Sequence, residues 1–156
     1  TDVERTLQDE RTSFVVVTTL ETAPLYEAQY LLAELATRKF GLRGVVANRV
    51  LDRDVVMRAD GAADRLGQVT PHSPAVEEIL GALPGANALD VSRVLSGALE
   101  RVAAMEVVSS IQERRLDQLR VALEPLGAHV WVSGLRGSDI GDVGSLVELG
   151  RGVTRT

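Results

Sequence analysis

Two short runs constrain the fold more than anything else in the chain: Phe14-Val15-Val16-Val17-Thr18-Thr19 and Gly44-Val45-Val46-Ala47-Asn48. Each is apolar or β-branched almost throughout and too short for a stable helix, so each reads as a buried strand. Between them, residues 21–39 place Leu25, Ala28, Leu32 and Leu35 on one helical face and leave Glu27, Glu34 and Arg38 for the other. Thr22 is expected as the N-cap, Pro24 fits the first turn, and Gly41 stands where a helix C-cap belongs. Two strands without a polar face, joined by a helix, imply a parallel βαβ unit with a right-handed crossover and both sheet faces covered.

The rest of the chain is read from the same signals. Residues 54–66 suit a helix, and 75–83 a short one, among the breakers Pro71, Pro74, Gly81, Pro84 and Gly85. From 89 to 123, Val91, Val94, Ala98, Val102, Met105, Leu116 and Leu119 recur at helical spacing, with Gly97 and Ser109-Ser110 as candidate bends or a break. Glu113, Arg114, Arg115, Asp117 and Arg120 read most simply as its solvated face. Pro125 and Gly127 stop that helix, His129-Val130-Trp131-Val132 is a third strand, and residues 143–149 a last helix. The expected fold is α/β, a parallel sheet with flanking helices. Residues 1–156 form one domain, and 54–124 are a helical insertion or subdomain within it.

Composition narrows the function. Aromatic residues are only 3% of the 156, so the core must come from Val, Leu, Ile and Ala. A net charge of −5, with bases scattered among acids, argues against a nucleic-acid partner. The absence of cysteine removes disulfides, thiolate zinc sites and cysteine nucleophiles, and fits a cytoplasmic setting. No apolar run approaches a transmembrane span, and Thr1-Asp2-Val3-Glu4-Arg5 is no signal peptide. Beginning without Met and entering a strand so soon, the chain reads as an excised piece or one whose true start lies upstream.

In an open parallel sheet, ligands bind outside the carboxyl ends of the strands. Three segments qualify here: residues 18–21, Asn48-Arg49, and 133–142. The Asn48 amide offers donors and an acceptor that match the N6/N7 edge of adenine; the alternative is a residue that simply forms a turn. Arg49 can stack on a base or reach a phosphate, or be a surface charge. The glycines of the loop 133–144 permit close backbone approach, with Gly134 and Leu135 at its start. That loop contains neither a phosphate-loop nor a dinucleotide motif and no lysine, so the other reading is a plain strand-to-helix turn. Asp139 and Asp142 are too few for a hard-cation site, and Asp142 suits a helix cap. His72 and His129 have no matching ligand cluster, Trp131 reads as core, and no nucleophile elbow is present. No catalytic residue and no metal ligand is expected.

Asp9-Glu10-Arg11-Thr12-Ser13, leading into the first strand, resembles the "DPERTxFVVVT" stretch of ArsA/Get3-type ATPases, the anion-transporting and tail-anchored-protein-targeting deviant P-loop family. Leu20-Glu21-Thr22-Ala23-Pro24-Leu25-Tyr26-Glu27-Ala28 is similar to that family's following helix start, and Val45-Val46-Ala47-Asn48-Arg49-Val50-Leu51 to its "VVVNRVL" motif. The segment 133–143 then sits where the family has a "VPLLxxDVxDL"-like loop, so the likeness runs in order across most of the chain. It implies a partial P-loop NTPase fold of the SIMIBI type, of which this chain is the carboxyl-terminal half. By resemblance Asn48 reads adenine with Arg49 beside it, and Gly134 and Leu135 pack near the base. The family hydrolyses ATP with Mg²⁺, usually as dimers, and couples this to metalloid-anion transport or to handling of membrane-protein clients.

Departures from the family are equally specific. The GKGGVGKT loop, the magnesium-binding and water-activating aspartates and the "DTAPTGH" switch have no counterpart, and Gly134 replaces a proline. The CxxC that binds zinc at the dimer interface of the eukaryotic branch is also missing. Without a phosphate cradle the chain is expected not to hydrolyse ATP alone. The partners implied are a missing amino-terminal half or a homo- or heterodimer partner, and beyond these a membrane-protein client or transporter. Any membrane association is then indirect, through a partner. A fragment of this kind is also expected to expose apolar edges. The alternative is a non-catalytic interaction module, a pseudo-ATPase subunit whose helix 89–123 docks a partner.

Overall fold

A computed structural model describes residues 2–136 and 142–155. In chain order the elements are α1 (Asp2–Leu7), β1 (Phe14–Thr19), α2 (Thr22–Thr37), β2 (Leu42–Val50), α3 (Arg53–Leu66), α4 (Pro74–Ala82), α5 (Ala88–Leu123), a 3-10 turn (Glu124–Leu126), β3 (His129–Gly134), α6 (Val143–Gly152) and β4 (Thr154–Arg155). The chain divides into two compact units, Thr1–Val50 with Ile111–Thr156, and Leu51–Ser110.

The first unit is an α/β layer built on a four-stranded sheet of order β1-β2-β3-β4. β1 pairs parallel with β2, and β2 parallel with β3. The short β4, which the sequence pattern does not announce, pairs antiparallel with β3. Because β1, β2 and β3 advance in one direction, right-handed crossovers put the helices that connect them on the same face. Burial agrees. Val16, Val45, Ala47 and Val130 share one core with Leu25, Ala28, Leu32 and Leu35 of α2 and Leu116, Leu119 and Leu123 of α5. On the opposite face Val15 and Val17 are exposed, and Val46 and Trp131 are half-buried.

The expectation of strands covered on both faces is therefore corrected. On that second face the β1 side chains are uncovered, Val15 and Val17 being exposed, whereas Val46 and Trp131 are half-buried and Ser133 is buried.

Several local expectations are corrected too. Glu21, not Thr22, is the N-cap of α2, and it makes no side-chain capping bond. The Thr22 hydroxyl is instead engaged by Arg115 at 2.9 Å. Gly41 is not the C-cap of α2, which ends at Thr37 with Arg38 as its cap residue and Lys39 at φ 56°. Glycine is required there because a Cβ would meet the Thr12 carbonyl oxygen at 2.7 Å, while the Gly41 carbonyl accepts the Phe14 N–H. The long helix is unbroken at Gly97 and at Ser109-Ser110. The Ser110 hydroxyl donates back to the Glu106 carbonyl at 2.7 Å, so it is satisfied within the helix instead of interrupting it.

The second unit holds α3, α4 and the amino-terminal part of α5. Asp52 caps α3 by accepting from the Asp54 N–H at 2.8 Å, and Pro74 opens α4. Val56 and Val76 are its buried apolar side chains. Near them in sequence, the carboxylates of Asp60 and Asp64 raise the pKa of Glu106, chiefly through like-charge repulsion from Asp60.

Candidate functional site

The carboxyl ends of the three parallel strands carry the residues of interest. β2 pairs Ala47 with Val132 and Val50 with Gly134, so Asn48 and Arg49 together oppose the single residue Ser133. This is a β-bulge, a device that re-aims side chains beside sites. Arg49 takes the left-handed conformation, φ 60°, which costs an arginine about 1–2 kcal/mol relative to an extended strand. The turn is stabilised locally: the Asn48 Oδ1 accepts the Arg49 N–H at 2.9 Å. Part of the turn-forming reading of Asn48 is thus real, and its amide NH₂ remains for other partners.

Alternation places Thr19, Asn48 and Ser133 on the same face of the sheet, in one row: Thr19 pairs with Asn48, and Ser133 faces the bulge. Both hydroxyls, Thr19 Oγ1 and Ser133 Oγ, are buried and have no hydrogen-bond partner among the described residues. An orphaned buried hydroxyl costs about 1–3 kcal/mol, so a pair of them beside a carboxamide marks a place that a polar group would stabilise. The sequence placed both in segments expected at the carboxyl ends of the strands but gave neither a role. The available signal was a hydroxyl residue at the end of each otherwise apolar strand.

The four residues singled out from the sequence come together at this end. Gly134 pairs with Val50, and the Leu135 N–H donates to the Val50 carbonyl at 2.7 Å, which holds the start of the loop against the end of β2. Arg49, Gly134 and Leu135 are exposed, and Asn48 is half-buried. Asn48 also lines a cleft of about 370 Å³ together with Val16 to Thr19 of β1 and Pro24, Glu27, Ala28 and Leu31 of α2. That size suits a small ligand or one face of a larger one.

Two α5 side chains reach the same end. Arg115 donates to the Leu20 carbonyl and to the Thr22 hydroxyl, fastening α5 to the β1–α2 junction. Gln112 donates to the Arg49 carbonyl at 3.5 Å. Arg115 therefore departs from the solvated face assigned to it, whereas Arg120 stays outside, paired with Asp117 at 2.5 Å. The spacing of Arg115 beside Leu116 and Leu119 gave the only hint, since a long side chain at the rim of an apolar stripe can reach inward.

Beyond Leu135, Arg136 donates to the Ser145 carbonyl at 3.2 Å. Asp142 caps α6 in a reciprocal box with Ser145, and the Ser145 N–H holds its carboxyl below the usual aspartate range. Asp139 lies outside the described residues, as do 137–141 generally. His129 opens β3, its ring edge-on to Trp131 at 5.9 Å and 2.9 Å from an Arg155 guanidinium nitrogen.

The chemistry of these donors fits one part of a nucleotide better than another. A carboxamide flanked by unpartnered hydroxyls suits the hydrogen-bonding edge of a base. Phosphates and Mg²⁺ fit poorly. The chain's one lysine, Lys39, is at the far end of α2, and among the described residues no three His, Asp or Glu side chains are grouped to hold a metal. Among the same residues no helix is long and apolar enough to cross a membrane. No protein-family model matches the chain, and no curated protein matches it. What stands is an α/β unit with a mostly parallel sheet and a polar row at its carboxyl edge.

Proposed function

We propose that the chain is the base-binding, carboxyl-terminal part of an ArsA-type ATPase with a partial P-loop NTPase fold of the SIMIBI type. Asn48 contacts adenine, Arg49 lies over the base or toward its phosphates, and Gly134 and Leu135 close its far side. The observation that carries this reading is the bulged Asn48 between the two unpartnered hydroxyls of Thr19 and Ser133. The ordered motif likeness around it supplies the family. Mg²⁺, the phosphate cradle and the hydrolytic residues belong to an amino-terminal half or a dimer partner. The chain's own residues bind and orient the base, and the completed ATPase acts on an anion or a membrane-protein client.

The local geometry provides a discriminating variant. Asn48→Asp keeps an oxygen to accept the Arg49 N–H and preserves the bulge, but removes the NH₂ donor that adenine N7 needs. Equilibrium titration of ATP, GTP and CTP should show a preference for ATP that Asn48→Asp weakens by about 1–3 kcal/mol. Equal binding of all three, unchanged by the substitution, would contradict the assignment. The chain alone should release no phosphate from ATP above background.

A second reading, a non-catalytic interaction module, draws on Leu89, Val94 and Val107, all exposed along the part of α5 in the second unit. It expects no adenine preference at all, so the same titration separates the two.

A further inference from the structure

Both backbone polar groups of Arg49, the strained residue of the β2 bulge, are held by side chains. Its N–H donates to Asn48 Oδ1 at 2.9 Å, inside the turn itself. Its carbonyl accepts from Gln112 Nε2 of α5 at 3.5 Å, a contact between segments 63 residues apart in sequence. Three residues further along α5, Arg115 donates to the Leu20 carbonyl and, at 2.9 Å, to the Thr22 hydroxyl. That spacing puts Gln112 and Arg115 on the same side of the helix. One side of α5 therefore grips the ends of β1 and β2, adjacent strands in which Thr19 pairs with Asn48. These polar grips are separate from the apolar packing of the helix, which Leu116, Leu119 and Leu123 carry. At φ 60° the Arg49 Cβ crowds the adjacent carbonyl oxygen, so the residue relaxes toward extended backbone unless it is held.

We infer that Gln112 is a positioning residue: by holding the Arg49 carbonyl it keeps the bulge formed and fixes which way the Asn48 carboxamide faces. The inference rests on the reading of Asn48 as the base contact and adds how that contact is made selective. While the Arg49 N–H occupies one lone pair of Oδ1, the carboxamide cannot turn over, because its NH₂ would then set a donor against a donor. Oδ1 keeps its second lone pair and Nδ2 its hydrogens, an acceptor beside a donor. Adenine matches that order with N6–H and N7. Guanine presents two acceptors, O6 and N7, and sets an oxygen against Oδ1. A relaxed Arg49 releases the carboxamide to rotate, and the discrimination goes with it.

The test compares the full native chain with Gln112→Met, similar in length but without a donor, and with Gln112→Lys, which restores one. Hydrogen exchange at the Arg49 amide is read without nucleotide, and the ratio of ATP to GTP affinity by titration. The two nucleotides carry the same phosphates, so their ratio cancels the charge that lysine adds. Gln112→Met is expected to speed exchange at Arg49 about two- to tenfold, the effect of one lost hydrogen bond, and to lower the ATP-to-GTP ratio by a similar factor. Exchange at Val45 and Ala47, buried in the same strand, should not change, and Gln112→Lys should return both readings to native values. Exchange at Arg49 that ignores Gln112→Met overturns the proposal. So does exchange that quickens equally along all of β2, or that stays fast in Gln112→Lys. A native ATP-to-GTP ratio in Gln112→Met, despite faster exchange at Arg49, overturns it as well. Equal affinity of the native chain for ATP and GTP contradicts the base reading instead, and exchange at Arg49 then still decides whether Gln112 holds the bulge.

Discussion

Arg49 is held at φ 60° by the bulge that its strand makes opposite Ser133, and the Asn48 side chain ties that turn down with a 2.9 Å bond. A glycine would adopt the same conformation without steric cost. Arg49→Gly should therefore stabilise the fold by up to about 1 kcal/mol, after part of the gain is lost to the unfolded chain. Denaturant unfolding measures this, and the same variant should bind ATP more weakly if the guanidinium contacts nucleotide. Gly44 sits at the opposite end of β2 under a different constraint. A Cβ there would collide with the His129 carbonyl and come within 2.6 Å of the Trp131 ring. Gly44→Ala should cost about 1–3 kcal/mol or more, seen as a lower unfolding midpoint, because strand backbone has to move. The sequence marked Asn48 and Arg49 as worth attention. It did not mark the bulge, since that depends on how β2 pairs with β3, a long-range register invisible in either segment alone.

At the scale of elements, α5 joins α2 in building the core of the first unit through Leu116, Leu119 and Leu123. Leu119 is 1% exposed within the core, and Arg115 fastens the helix to the β1–α2 junction. Leu119→Ala should cost about 2–5 kcal/mol. Arg115→Ala should cost about 1–3 kcal/mol through the lost carbonyl and hydroxyl bonds, and both are measurable by chemical denaturation. The strands, α2 and the span of α5 were legible because each rests on local periodicity. The inward turn of Arg115 was not, because a charged residue beside an apolar stripe is compatible with either environment. α1 and β4 were missed for want of length: six and two residues leave no period to read. The amino-terminal part of α5 carries a pH dependence. Glu106 titrates above the ordinary glutamate range because Asp60 and Asp64 repel its charge. A raised folded pKa contributes stability below the ordinary value that is lost as pH rises through the folded one. Thermal unfolding should thus find Glu106→Gln more stable than the native chain at neutral pH and indistinguishable from it in acid.

For the molecule as a whole, the strand order explains the surface. Three parallel strands that advance one way put their helices on one face and leave Val15, Val17, Val46 and Trp131 on the other. Among the described residues β1 is an edge strand with Val15 and Val17 exposed, and a polar row marks the carboxyl end of the sheet. The most direct measurement is amide hydrogen exchange of the native chain and of Asn48→Asp with saturating ATP or GTP. ATP should slow exchange at Thr19, Arg49 and Ser133 in the native chain, GTP should do so less, and Asn48→Asp should lose the ATP effect. Exchange at those three amides that is indifferent to ATP, or slowed equally by GTP and in Asn48→Asp, would contradict the base-binding role of Asn48.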